Sequence, residues 1–157
     1  MRCHPGRAVD GSALARLELD QTTVPANAVL ASGDQTDAMV ARMRVAMQLA
    51  LAAEMLGIME GASAKTLEYL GTRVQFGQPI GKFQALRHQS VDNYVQKETT
   101  RSLVLEAAHA ARSVHGARLA TAARVLAGEA SLAICKSSIQ MHGAIGFTDE
   151  HDIGLFL

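Results

Sequence analysis

ARLATAARVLAGEASLAICKSSIQMHG, residues 117–143, decides the fold. Leu119, Ala122, Ala123, Leu126, Ala130, Ala133, Ile134, Ser137 and Met141 recur at steps of three and four, the spacing of one face of an α-helix. Small side chains on that face let a neighbouring helix approach closely. No proline interrupts the run, and Gly143 supplies a stop. The stretch predicts a helix over about 117–142 that packs against other helices.

Upstream, a second helix fits about 83–113, with a break near His115-Gly116. A further proline-free run covers about 36–71. Asp34 or Thr36 can cap it, Asp37 suits its first turn, and Gly71 is a plausible end. Val40, Met43, Met47, Leu51 and Ile58 line one of its faces, and Ala52, Leu56, Met59, Ser63, Thr66 and Leu70 another. A helix apolar on two faces is expected to be mostly buried. In front of it, Leu14, Leu17 and Leu19, with Val24 before a proline, suggest one or two short strands and an extended segment. Two strands do not make a stable sheet alone, so residues 1–33 read as a loose arm or as the remnant of a larger β domain. The fold class is all-α: an up-down, four-helix-type bundle over 34–157 behind a short β-like arm.

Bulk properties narrow the function. The 157 residues are 48% hydrophobic with a formal net charge of zero, which argues against a basic nucleic-acid binder. Aromatic residues make up 4% and tryptophan is absent, so the core must come from Ala, Leu, Val, Ile and seven Met. Cys3 and Cys135 form no CxxC pair and read as reduced thiols. No run reaches the ~18 apolar residues needed to span a membrane, and the N-terminus lacks the apolar segment of a secretory signal. The expectation is a soluble, cytoplasmic protein without membrane insertion.

Several chemistries were weighed. Glu106 and His109 form Glu-x-x-His on a helix, half of a di-iron motif, but no second copy exists and an exposed helix pair is the simpler reading. His142, His151 and Asp152 match no common metal spacing. Cys135 reads as a small core residue rather than a nucleophile, and there is no Gly-x-Ser-x-Gly elbow. Anion binding has more support. TRVQFGQPIGKFQ, residues 72–84, reads as an ordered loop offering Arg73, Lys82, three glutamines, Gly77 and Gly81. QMHGAIGF, residues 140–147, offers Gln140 with Gly143 and Gly146. Arginine can clamp a phosphate with two bonds, and glycine lets backbone N–H groups approach it. A simple helix cap stays open as an alternative reading of the second stretch.

The two stretches together, in this order and some 55 residues apart, resemble the acyl-CoA dehydrogenase family. Its C-terminal helical domain carries Arg-x-Gln-Phe-Gly-x-Pro-Ile-x-x-Phe-Gln and, later, Gln-x-His-Gly-Gly-x-Gly-Phe-Thr-x-Glu-His. LELDQTTVPANAVL resembles the end of that family's middle β domain, so the resemblance covers about residues 14–157. It implies a flavoenzyme that oxidises the Cα–Cβ bond of an acyl-CoA, using a carboxylate base and FAD and passing electrons to an electron-transfer flavoprotein, with FAD at a subunit interface of an oligomer. Carried over by motif, Arg73, Gln75 and Phe76 meet the FAD of a neighbouring subunit, Phe83 and Gln84 continue that contact, and Gln140, Gly143 and Ala144 approach its adenosine-diphosphate part.

Two departures qualify the likeness. Ala144 stands where the family has the second glycine of its pair, and Asp149 where close bacterial relatives carry tryptophan. The family's catalytic glutamate follows the glycine-rich turn, and the alternative base position early in the first helix falls near Met47, which is no base. Glu54 is expected to be a paired, partly buried carboxylate, and Glu150 and Asp152 to be structural or solvated, so the catalytic residue is left unassigned. The chain reads as a portion of such an enzyme, inactive alone, contributing FAD contacts and oligomer surface. A flavin-dependent monooxygenase of the same fold and a non-catalytic helical interaction module are the alternatives.

Overall fold

In the computed structural model, which describes residues 1–157, the chain divides into two units, Met1–Met39 and Val40–Leu157. The first unit contains an antiparallel hairpin of β1 (Arg2–Arg7) and β2 (Ala13–Glu18), in register from Arg2 opposite Glu18 to Arg7 opposite Ala13. Its turn is closed by Ala8 N–H to Ser12 O at 3.0 Å and by Ser12 N–H to the Asp10 carboxylate at 2.9 Å. The sequence placed strands only around residues 14–19. The strand at residues 2–7 is a correction, and Pro5 had hidden it. In a two-stranded sheet both strands are edges, where a residue without an N–H is tolerated. Both faces of the hairpin are exposed, Leu14 and Leu17 included, so it has no core of its own.

α1 (Asp34–Thr72) begins in the first unit and runs through the second, with Asp34 and Asp37 in its first turn, where the helix dipole favours negative charge. It does not stop at Gly71. It continues to Thr72, whose hydroxyl donates to Glu68 O at 3.0 Å. Then come the short strands β3 (Val74–Gln75) and β4 (Gln78–Pro79), the helices α2 (Gln84–His109) and α3 (Gly116–His142), and two 3₁₀ turns, Gly143–Phe147 and Asp152–Phe156. α2 ends four residues earlier than expected, and residues 110–115 form the link to α3. The chain is all-α in class with three long helices.

Side-chain neighbours fix the direction of each helix. Along α1 and α3 the partners climb together: Gln48 with Thr121, Ala52 with Ala123 and Ala127, Met59 with Ala130 and Ile134, Ala62 with Cys135 and Ile139, Tyr69 with His142. α1 and α3 therefore run parallel. α2 runs against both, since Arg101 reaches Glu60 while Asn93 meets Ser137 and Ser90 meets Met141. This is the up-down arrangement of a four-helix-type bundle that the sequence predicts, carried here by three long helices. Seven buried alanines, Ala52, Ala62, Ala107, Ala120, Ala123, Ala127 and Ala130, line the seams, and close approach of backbones is found between α2 and α3. Met59 and Ile134 are fully buried among them, each worth about 1.5–3 kcal/mol of apolar burial.

The buried face of α3 is rotated slightly from the expected stripe. Ala123, Ala130, Ile134 and Met141 lie inside as expected, but Ala122 and Ala133 are exposed while Ala127, Ser131 and Ser138 are buried. The expectation for α1 is corrected more deeply. Its face of Ala52, Met59, Thr66 and Leu70 is buried, yet Met43 and Met47 stay 62% and 59% exposed. Two neighbouring helices can cover only one side of a third. Glu54, expected to be paired and partly buried, is exposed and makes no ion pair. By length and composition α1 is also apolar enough to cross a membrane, which corrects the expectation that no segment qualifies. The apolarity comes from Leu, Val and Ile as well as Ala and Met, and part of it faces α2 and α3.

Candidate functional site

The ends of α1 and α3 meet at a cluster of three rings. Tyr69 stacks on His142 with centroids 4.4 Å apart, His142 lies 4.5 Å from His151, and Tyr69 meets His151 edge-on at 6.0 Å. His142 is 3% exposed. Its Nδ1 lies 2.7 Å from Ser138 O, so Nδ1 carries the proton and donates, leaving Nε2 as a buried acceptor without a partner. Burial pushes the His142 pKa below its ordinary value. The Ser138 carbonyl opposes that shift, and His151 adds to it. His151 Nδ1 accepts from Ile153 N–H at 3.1 Å and holds the last 3₁₀ turn over Ala62, Cys135 and Ile139.

Both sequence stretches leave from this cluster. Arg73 follows Tyr69 by one helical turn and donates its backbone N–H to Tyr69 O at 2.8 Å. The chain then turns back on itself as a two-residue hairpin, Gln75 opposite Gln78, within the stretch the sequence predicts to be an ordered loop. Phe76 and Gly77 sit at its tip with φ of 51° and 77°. Positive φ at both positions is the type I′ turn that suits a twisted hairpin. Glycine takes the second position freely, while Phe76 accepts some backbone strain there. That strain holds a phenyl ring 91% exposed, edge-on to Phe83 at 6.0 Å. Ile80 N–H returns to Arg73 O at 2.8 Å, and Gln84 opens α2, exposed. On the other side Gln140 is exposed in the last turn of α3, and Gly143 and Ala144 follow, both exposed.

The four glycines of these stretches divide into two kinds. A Cβ on Gly81 would lie 2.9 Å from Leu70 O, and one on Gly146 would lie 2.6 Å from Ile139 O. Those two are small because the chain packs on itself, which corrects the reading that they let a ligand approach. Gly77 and Gly143 have positive φ and open space where a Cβ would point. Only these two leave backbone accessible from outside.

Polar groups at this end are uncommitted. The ion pairs of the chain involve His4, Arg16, Lys65, Lys97 and Arg101, so neither Arg73 nor Lys82 is neutralised. The cluster therefore presents a free guanidinium, the exposed amides Gln75, Gln84 and Gln140, an aromatic face and two open glycines. That set can take a phosphate and a flat ring. The other sequence candidates fall elsewhere. Glu106 and His109 are exposed on α2, with His109 Nδ1 on Leu105 O at 2.8 Å. Cys135 is buried in the core, and burial pushes its thiol pKa up. Glu150 is exposed, and Asp152 pairs with Lys65 at 3.1 Å. The sequence reading missed Tyr69, whose stacking partner His142 lies far along the chain.

Residues 36–157 match the family model described as acyl-CoA dehydrogenase, C-terminal domain. The acyl-CoA dehydrogenase IpdE2 of Mycobacterium tuberculosis is 43% identical over 106 residues, 68% of this chain and 32% of that protein. A solved structure of a Tcur3481–Tcur3483 steroid ACAD variant is 35% identical with a TM-score of 0.67, covering 69% of this chain and 30% of that one. The glutaryl-coenzyme A dehydrogenase–glutaryl-CoA complex has a TM-score of 0.87 at 25% identity, covering 99% of this chain and 40% of that one. The chain spans about a third of the length of the two IpdE2 proteins it matches, 32% and 33%.

Proposed function

Since the chain belongs to the acyl-CoA dehydrogenase family, we propose that it forms the C-terminal helical portion of a flavin-dependent enzyme oxidising the Cα–Cβ bond of an acyl-CoA thioester. The observation that carries this reading is the Tyr69–His142 stack, which starts both motif stretches from one end of the bundle. The residues present fit FAD. Arg73 is unpaired, Gly77 and Gly143 leave room for phosphate beside the backbone, and Phe76 offers an exposed ring. When bound, FAD supplies the two-electron acceptor for the substrate's β hydrogen.

In this reading Arg73 takes a phosphate oxygen with both arms of its guanidinium. Gln75 and Gln84 hydrogen-bond polar edges of the cofactor, and Phe76 and Phe83 cover its apolar surface. Gln140, Gly143 and Ala144 contact the adenosine-diphosphate part through side-chain amide and backbone. Phe76 faces outward from its own helices, which suits a cofactor held between two subunits of a homo- or hetero-oligomer. An exposed carboxylate is poorly suited to act as a base with a raised pKa, so we assign the α-proton abstraction to none of Glu54, Glu150 or Asp152. The base, the acyl pocket and the docking of an electron-transfer flavoprotein then belong to parts supplied around this unit. The hairpin of residues 2–18, bare on both faces, fits the edge of a larger sheet in the same assembly. Free Cys3 and Cys135 fit a cytoplasmic setting.

Names among the relatives do not favour the monooxygenase or interaction-module readings. The test is flavin content. The chain is purified alone and with excess FAD, and the visible absorbance is read after gel filtration. Stoichiometric yellow protein, bleached anaerobically by an acyl-CoA once partner subunits are present, is the expected result. Protein that never retains flavin in either setting overturns the proposal.

A further inference from the structure

Between the three helices, one turn back from the ring cluster, lies a small cleft of about 30 Å³. Two hydroxyls that line it, Ser63 Oγ on α1 and Ser138 Oγ on α3, are buried and make no hydrogen bond, and Ser138 is fully enclosed. A buried hydroxyl without a partner is costly, and native proteins rarely leave one so. Tyr94 at the rim is exposed, and three other polar groups of the cleft are already committed as donors. Thr66 donates to Ala62 O at 2.7 Å, Ser90 to Leu86 O at 2.8 Å, and Asn93 Nδ2 to Ser137 Oγ at 3.0 Å. What remains is two serine hydroxyls, the Asn93 carbonyl oxygen, and spare lone pairs on Thr66 and Ser90.

We propose that this cleft is a binding site for ordered water, one or two molecules that bridge Ser63 of α1, Asn93 of α2 and Ser138 of α3. The volume fits, since a water needs roughly 10–15 Å³ of such space and two to four polar partners. A neutral ligand suits the charge balance. Lys97 is the one charged residue lining the cleft, and its ammonium lies 3.6 Å from the Glu98 carboxylate and 5.5 Å from the Tyr94 ring centroid. That leaves little positive charge to hold an anion. The site also has a structural consequence. Ser138 lies one turn before His142 and accepts its Nδ1–H, so the water fixes the turn of α3 from which the Gly143 loop departs.

The sign of a substitution separates a wet cleft from a dry one. In the 157-residue chain, Ser63→Ala and Ser138→Ala each remove one anchor of the water and lower the melting temperature by about 2–4 °C. The double variant loses less than the sum, because the same water is lost in either single variant. A dry cleft gives the reverse: each alanine removes an orphaned hydroxyl and raises the melting temperature, which overturns the proposal. A crystal structure of the unsubstituted chain should have density bridging Ser63 and Ser138. An empty cleft there overturns the proposal, as does an anomalous peak in the cleft after a bromide soak, which marks an anion site instead. These crystallographic readouts decide the matter even if Ser138→Ala fails to fold.

Discussion

At one end of the helical unit α2 turns into α3 through residues 110–115. At the other, α1 and α3 finish side by side around Tyr69, His142 and His151. Both ends rest on a glycine that the chain crowds: a Cβ on Gly116 would lie 2.5 Å from Ala111 O, and one on Gly146 would lie 2.6 Å from Ile139 O. Beyond that they diverge. The α2–α3 link leaves Val114 90% exposed, with Arg112 and His115 standing in water. The other end buries a histidine, stacks three rings and holds two further glycines open at positive φ. One end is a connection, and the other is a support for loops that face outward. Tight packing beneath a loop, rather than glycine content, distinguishes the two.

The largest effect should come from the crowded glycines, and it should be alike at both ends. Gly146→Ala and Gly116→Ala each press a methyl into backbone carbonyl oxygen, and overpacking of this kind costs about 1–3 kcal/mol. For a chain of this length that is a fall of roughly 3–10 °C in melting temperature. Calorimetry checks it. If Gly146→Ala melts like the parent, the loop does not rest on Ile139 and the contrast loses its footing.

Next comes the buried histidine, which exists at one end only. Burial holds His142 below the ordinary histidine value of 6.5, so the neutral ring is the folded form. As pH falls below that value, the unfolded chain takes up its proton before the folded chain does. Stability is therefore fully present above about pH 6.5 and is lost progressively below it. His142→Gln should flatten that acid slope in melts recorded from pH 8 to pH 5. Arg112→Gln, at the connecting end, should leave the slope as it is. Equal slopes in all three proteins would mean that the ring cluster does not control the acid limb.

A third contrast separates stability from binding. The Phe76 and Arg73 side chains are exposed, and Phe76 meets only the edge of Phe83 among the rings, so Phe76→Ala and Arg73→Ala should change stability by less than about 0.5 kcal/mol. Arg73→Ala should weaken flavin retention by roughly 10-fold, the loss of one charge-assisted contact. Arg112→Ala, at the opposite end, should alter neither. Flavin titration beside thermal melts reads both quantities. A variant of Arg73 that binds flavin normally would take the phosphate role away from it.

Much of this architecture is legible in sequence because helices advertise themselves by period. The 117–142 run and its glycine stop are local features, and the observed α3, Gly116–His142, lies within a residue of that reading. The motif stretches are also local, so Arg73, Gln75 and Gln140 could be singled out by residue type, and Phe76 through the resemblance of its stretch to the family. What stayed hidden depends on partners distant in the chain. The exposure of Met43 and Met47 depends on how many helices stand beside α1, and the period of α1 does not encode that number. The stack of Tyr69 on His142 joins residues 73 positions apart, and no local pattern in either stretch announces it. The roles of Gly81 and Gly146 inverted for the same reason, since the carbonyls they meet belong to other turns. The strand at residues 2–7 was concealed by Pro5, which breaks the usual strand signal while suiting an edge.

The smallest effect tests the departure at position 144. Ala144 follows Gly143 in the outward loop and is exposed, so its methyl supports little of the core. Ala144→Gly should cost only about 0.4–1 kcal/mol, chiefly because the unfolded chain gains freedom. That is a fall of roughly 1–4 °C. The opposite sign is expected for the cofactor. Removing the methyl beside an already open Gly143 lets backbone N–H groups come closer to a phosphate, so flavin affinity should rise by about two- to fivefold, well under 1.4 kcal/mol. A loss of stability paired with a gain in affinity would mark the loop as a surface shaped for a ligand and only incidentally for its own fold. If stability and affinity fall together, Ala144 serves the packing of the 3₁₀ turn, and the support beneath the loop extends one residue further out than the crowded glycines indicate.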